Sequence, residues 1–83
     1  MSHMLKIQVK LFGIFRNFIP DGKKKPVFEM DVENGTRIID LSKYLGIPEE
    51  EPKVFIRNHR AAYEDDVIAD GDVIAFFPPI GGG

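Results

Sequence analysis

Residues 5–12 read Leu-Lys-Ile-Gln-Val-Lys-Leu-Phe, with Leu5, Ile7, Val9 and Leu11 at every second position and Lys6, Gln8 and Lys10 between them. Successive side chains of a strand point to opposite faces, so this pattern predicts a half-buried first strand. Residues 13–19 keep their apolar character but lose the alternation, which predicts a short helical turn folding over the sheet edge. Pro20-Asp21-Gly22, followed by Lys23-Lys24-Lys25-Pro26, is a loop by its turn chemistry, with the lysines in water. Residues 27–33 alternate again, with Phe28, Met30 and Val32 against Glu29, Asp31 and Glu33. Two strands this close in sequence are expected to pair antiparallel, lysines facing carboxylates across the outer face.

Asn34-Gly35 breaks the second strand. Thr36 is read as the N-cap of a helix of about nine residues, its stripe made by Ile38, Leu41 and Leu45 and broadened by Ile39. Gly46 suits the position after the helix, and Pro48 prevents continuation. A helix this short is held by its contact with a sheet, not by propensity. Residues 53–57 (Lys-Val-Phe-Ile-Arg) predict a third, central strand, Asn58-His59 a turn, and residues 60–63 a short edge strand. Val67 and Ile68 are expected to return to the core. Asp70-Gly71-Asp72 is a tight turn into the last strand, residues 73–77, which is apolar on both faces.

Strand, strand, helix, strand, short strand, strand is an α+β order. One helix covers one face of the sheet. The first and last strands are expected side by side at its centre. An apolar last strand then leaves an uncovered apolar face, which is a candidate binding surface.

Composition narrows the class. Eighty-three residues allow one small domain, and a hydrophobic fraction of 43% is too high for disorder. A net charge of −2 with mixed signs gives no electrostatic footprint for nucleic acid or an anionic membrane. With no cysteine, disulfides, thiolate metal sites and a cysteine nucleophile are excluded. A cytoplasmic location is expected. The acidic runs Glu49-Glu50-Glu51 and Glu64-Asp65-Asp66 are read as solvated connectors, and His59 as an exposed turn residue; no metal site is expected. Met1-Ser2-His3 reads as an expression-tag residue, residues 4–77 as the domain and residues 78–83 as a flexible tail.

The chain ends Phe76-Phe77-Pro78-Pro79-Ile80-Gly81-Gly82-Gly83. Prolines stop strand pairing because they lack an N–H. Glycines have nothing to pack and lose the most entropy on ordering. Such an end can be cloning residue or fraying. It can also carry a carboxylate on a thin leash into a channel too narrow for a Cβ.

This ending, with Val9-Lys10-Leu11-Phe12-Gly13-Ile14-Phe15-Arg16, Phe55-Ile56-Arg57-Asn58 and Asp70-Gly71-Asp72, resembles the MoaD/ThiS family of ubiquitin-like sulfur carriers, nearest the small subunit of molybdopterin synthase. The resemblance implies a β-grasp fold with a mixed sheet of four to five strands. It implies that an E1-like adenylyltransferase of the MoeB/ThiF type, using ATP and Mg²⁺, activates the Gly83 carboxyl beside Gly82. Sulfur from a cysteine desulfurase or rhodanese would then make a thiocarboxylate. The large subunit of molybdopterin synthase (MoaE type), or a thiazole synthase, would receive it. The chain itself would be a carrier without a cofactor and not an enzyme. Gly81, His59 and Val73 depart from the family's usual residues. An outward side for Val73 makes Val73, Ala75 and Phe77 the exposed set, with Ile74 and Phe76 inward. Phe77 is the expected interface anchor, joined by Pro78, Pro79, Ile80 and Gly81 of the tail. Thiamine thiazole synthesis, lysine-linked protein modification and an inert interaction module are the alternatives.

Overall fold

The computed structural model describes residues 4–79; Met1, Ser2, His3, Ile80, Gly81, Gly82 and Gly83 lie outside the described residues. The elements are β1 (Met4–Leu11), a 3₁₀ helix (Gly13–Phe18), β2 (Val27–Glu33), α1 (Ile38–Tyr44), β3 (Val54–Arg57), β4 (Arg60–Ala62) and β5 (Val73–Phe77). They form one five-stranded sheet in the order β2-β1-β5-β3-β4. β1 runs antiparallel to β2 and parallel to β5, and β3 runs antiparallel to both β5 and β4. The first and last strands therefore share the sheet centre, as the element order predicts. β3 is an interior strand, as expected, and lies between β5 and the edge strand β4.

Alternation decides the core. Leu5, Ile7, Val9 and Leu11 of β1 are buried, as are Phe28 and Val32 of β2 and Ile74 and Phe76 of β5. Phe15 of the 3₁₀ helix, Ile38, Leu41 and Leu45 at the helix, Ile47, Phe55 and Ile68 complete one cluster. The Phe55 and Phe76 rings meet edge to face, centroids 5.5 Å apart. Each fully buried large side chain contributes about 1.5–3 kcal/mol relative to exposure.

Three local expectations are corrected. The helix has seven residues, and Arg37, not Thr36, is its N-cap. The Thr36 hydroxyl donates to the Glu33 carbonyl at 2.7 Å, so it closes the preceding turn. The Asp40 carboxylate instead accepts the Arg37 backbone N–H at 3.0 Å and its Nε at 3.2 Å. Val67 is 54% exposed while Ile68 is 2% exposed, because adjacent residues in extended backbone point opposite ways. Finally, Lys6 lies opposite Asp31 in the β1–β2 register, yet no ion pair within 4.0 Å joins these strands among the described residues. Exposed side chains of this kind gain little by closing the gap.

The C-terminal end of α1 follows the expected pattern. Gly46 has φ +84°, its N–H reaches the Lys43 carbonyl, and the Ile47 N–H reaches that of Ser42. These paired bonds cap the helix, and only glycine adopts that φ without strain.

Candidate functional site

Gly83, Gly82, Gly81 and Ile80 lie outside the described residues. What is described is the base from which they depart, and that base is held at three points. The Phe12 N–H donates to the Phe76 carbonyl at 3.1 Å, joining the ends of β1 and β5. The Phe12 and Phe77 rings stack at 4.3 Å with 4° between their planes. Pro78 is half-buried over Gly13, where a Cβ would come within 2.7 Å of Pro78 Cγ. Gly13 also has φ +60°, so both space and backbone favour glycine there. Pro79 is exposed.

Val73, Ala75 and Phe77 share the sheet face opposite the core, and Ile74 and Phe76 point inward with 0% exposure. Val73 and Phe77 are half-buried, not open. Ala75 is a correction: it is only 6% exposed. The register sets it between Lys10 of β1 and Ile56 of β3, and these longer side chains flank its methyl group. Ala75 thus forms a floor. Lys10, Phe12, Ile56, His59, Val73 and Phe77 surround it in a hollow of about 110 Å³. Small-molecule sites occupy roughly 300–1,000 Å³. This hollow is smaller, with room for about one side chain.

Sequence reasoning passed over Phe12, Gly13 and His59 here. The signal for Phe12 was present, since it continues the outward series Lys6, Gln8, Lys10. Nothing local announced Gly13, whose need for space comes from Pro78, sixty-five residues away by its number. His59 enters because Asn58 and His59 both adopt positive φ, 51° and 71°, in the β3–β4 turn.

A buried carboxylate fixes this turn to the start of β5. Asp72 accepts from the Ala69 N–H at 2.8 Å, Arg57 Nε at 2.8 Å and the Asn58 side-chain amide at 2.9 Å. Asn58 Oδ1 in turn accepts the Val73 N–H at 2.8 Å. Burial pushes the Asp72 carboxyl up, but the Ala69 and Asn58 hydrogen bonds and the Arg57 charge outweigh it and hold the group below the ordinary 3.8. A depressed folded value stabilises the fold above the unfolded value and loses that contribution as pH falls through the folded one. The protein is therefore expected to lose stability below about pH 4. Asp72→Asn puts an amide NH₂ among these donors and is expected to cost about 2 kcal/mol at pH 7. Its thermal stability should also vary less between pH 7 and pH 3; an unchanged pH profile would remove Asp72 from this role.

Among the described residues no group of three or more His, Cys, Asp or Glu is placed to hold a metal ion, and no helix is long and apolar enough to cross a membrane. The described site thus offers a positioned exit and an apolar hollow.

Solved structures share this architecture. SAMP1 from Haloferax volcanii aligns with TM-score 0.68 and 24% identity, over 94% of this chain and 99% of that one. The putative molybdopterin converting factor, subunit 1, from Pyrococcus furiosus aligns with TM-score 0.69 and 29% identity, over 92% and 99%. The complex of subunits 1 and 2 of the molybdopterin-converting factor from Helicobacter pylori 26695 includes a chain at TM-score 0.60 and 21% identity, over 95% and 100%. The first and last likenesses speak to the fold alone. No curated protein matches this chain. The ThiS family model matches residues 9–83, from β1 through the final glycine. With the β-grasp sheet, the clamped exit and that match, the chain belongs to the ThiS family of small ubiquitin-like sulfur carriers.

Proposed function

We propose that this chain carries sulfur as a thiocarboxylate on Gly83 and serves as the small subunit of a molybdopterin synthase. The observation that carries this reading is the clamp at Phe76, Phe77 and Pro78, which starts a proline-then-glycine terminus in a family match running to residue 83. The Pyrococcus furiosus relative, described as a molybdopterin converting factor subunit, favours this pathway.

A free carboxylate is a poor acyl donor because oxide would have to leave. In the proposed sequence a Gly83 carboxylate oxygen attacks the α-phosphorus of ATP in an E1-like partner, and pyrophosphate departs. Mg²⁺ is held there, not by this chain. The outer sulfur of a partner's cysteine persulfide then attacks the acyl carbon and AMP leaves, giving an acyl disulfide. A thiol attacks its S–S bond, is oxidised to a disulfide with the partner's cysteine, and releases the thiocarboxylate. The large synthase subunit takes the terminus into its own site. This chain's share is to deliver one acyl group to a fixed point, an effective-concentration effect. Ordering the terminus in a channel costs roughly 1–2 kcal/mol per residue, which extended pairing with channel walls and docking at the Phe77 hollow offset.

A second reading is a protein modifier joined to lysines through the same glycine, because an activated Gly83 acyl group is open to attack by an amine as well as by sulfur. Thiamine thiazole synthesis is chemically equivalent as far as Gly83. Mass spectrometry after incubation with an activating enzyme, ATP, Mg²⁺ and sulfide separates these from an inert module. The expected product is heavier by about 16 Da, sulfur replacing oxygen, on the C-terminal peptide. An unchanged mass would defeat both readings; Gly83 found in isopeptide linkage in cells would favour the modifier.

A further inference from the structure

We propose that the open edge of β2, with the groove between β2 and α1, takes up an extended segment of a partner protein in which apolar residues alternate with lysine or arginine. β2 is the terminal strand of the sheet. The Leu11 N–H donates to the Pro26 carbonyl at 2.8 Å, which sets the phase of the antiparallel ladder. Bonding alternates along such a ladder, so Phe28, Met30 and Val32 turn their backbone groups to β1, while Glu29 and Asp31 turn theirs outward. Nothing between Val27 and Glu33 blunts this edge except charge: the stretch has no proline, no glycine and an unbroken register.

Beside the edge runs a groove of about 330 Å³. Met30, Val32 and Leu41 floor it, and Met4 and Tyr44, exposed at 49% and 76%, stand at its sides. A strand added to β2 would send every second side chain into this apolar groove. Its alternate side chains would lie on the outer face beside Glu29, Asp31 and Glu33, all exposed. Lys6 lies across from Asp31, and Lys23 lines a hollow with Glu29 and Asp31, so part of this charge is offset. Asp40 at the groove rim is occupied by Arg37. The remaining acidic excess selects a basic segment. It also disfavours a second copy, because antiparallel pairing of β2 with itself sets Glu29, Asp31 and Glu33 against the same residues. β1 separates β2 from β5, so a segment bound here leaves the Phe77 hollow and the terminus accessible, and the proposal does not rest on the sulfur-carrier reading.

The test uses the full chain and a synthetic seven-residue peptide alternating valine or isoleucine with lysine or arginine, beside a peptide of the same composition with its apolar residues clustered. Amide NMR is expected to show shifts confined to β2 and α1, and slowed hydrogen exchange at Glu29 and Asp31. Tyr44→Ala is expected to weaken binding at least tenfold. Asp31→Pro removes an outward N–H without breaking a β1 ladder bond, and is expected to weaken it as much. Asp31→Asn, which keeps that N–H, should weaken binding less. Equal binding of the clustered peptide, shifts centred on β5, self-association through β2, or no binding at about 1 mM would each overturn the proposal.

Discussion

Deleting Gly83 is expected to reduce sulfur transfer to the level seen without carrier, while the melting temperature stays within about 2 °C of the parent. Shortening an extended terminus by one residue withdraws the carboxyl by about 3.3–3.6 Å. Misplacement by 1 Å can cost roughly a hundredfold in an oriented reaction, so a shift of this size is expected to cost at least about a thousandfold. Stability should not follow, because the core cluster runs from Leu5 to Phe76 and the strands end at Phe77. The sulfur shift by mass spectrometry and a thermal melt of the same variant measure the two effects. A shortened chain that still gains sulfur at the parental rate, or one that unfolds, would sink the carrier reading in this form.

Neighbouring phenylalanines give the second large effect. Phe76 has 0% exposure and meets Phe55 edge to face, so Phe76→Ala is expected to cost about 3–5 kcal/mol. For a domain of this size each kcal/mol shifts the melting temperature by about 4–8 °C, so a fall of at least about 12 °C is expected. Phe77 is half-buried and faces the other way. Losing its stack on Phe12 is expected to cost about 1 kcal/mol in stability. Its cost in partner affinity should be larger, about 2 kcal/mol or more, as for aromatic anchors at interface centres. Thermal melts with calorimetric titration of the activating enzyme separate the pair. If Phe77→Ala damaged stability more than binding, the hollow would be part of the fold and not a docking point.

Much of the architecture was legible locally. The alternating series from Leu5 and from Phe28 placed two strands and their inner faces. The Ile38, Leu41 and Leu45 spacing placed the helix, and Gly46 placed its end. Outward and inward sides of β5 also followed from the alternation once Val73 was assigned outward. The site was legible in part. Phe77 and Pro78 were singled out, but their partners Phe12 and Gly13 were not, and Ala75 was given an exposure it lacks. The helix cap was misassigned because Thr36 is a common capping type; its hydroxyl instead finds the Glu33 carbonyl. Asp72 was read only as a turn residue, although it binds Arg57 and Asn58 across the sheet.

The order of side chains along the backbone determined which face each strand residue takes, because direction alternates with every residue whatever the neighbours do. It also placed three successive glycines, Gly81, Gly82 and Gly83, after the paired prolines. Tertiary structure alone decided what covers each outward residue: Lys10 and Ile56 flank Ala75, Phe12 stacks on Phe77, Pro78 fills the space over Gly13. Those neighbours come from strands distant in sequence, and their register is set by pairing the whole sheet at once.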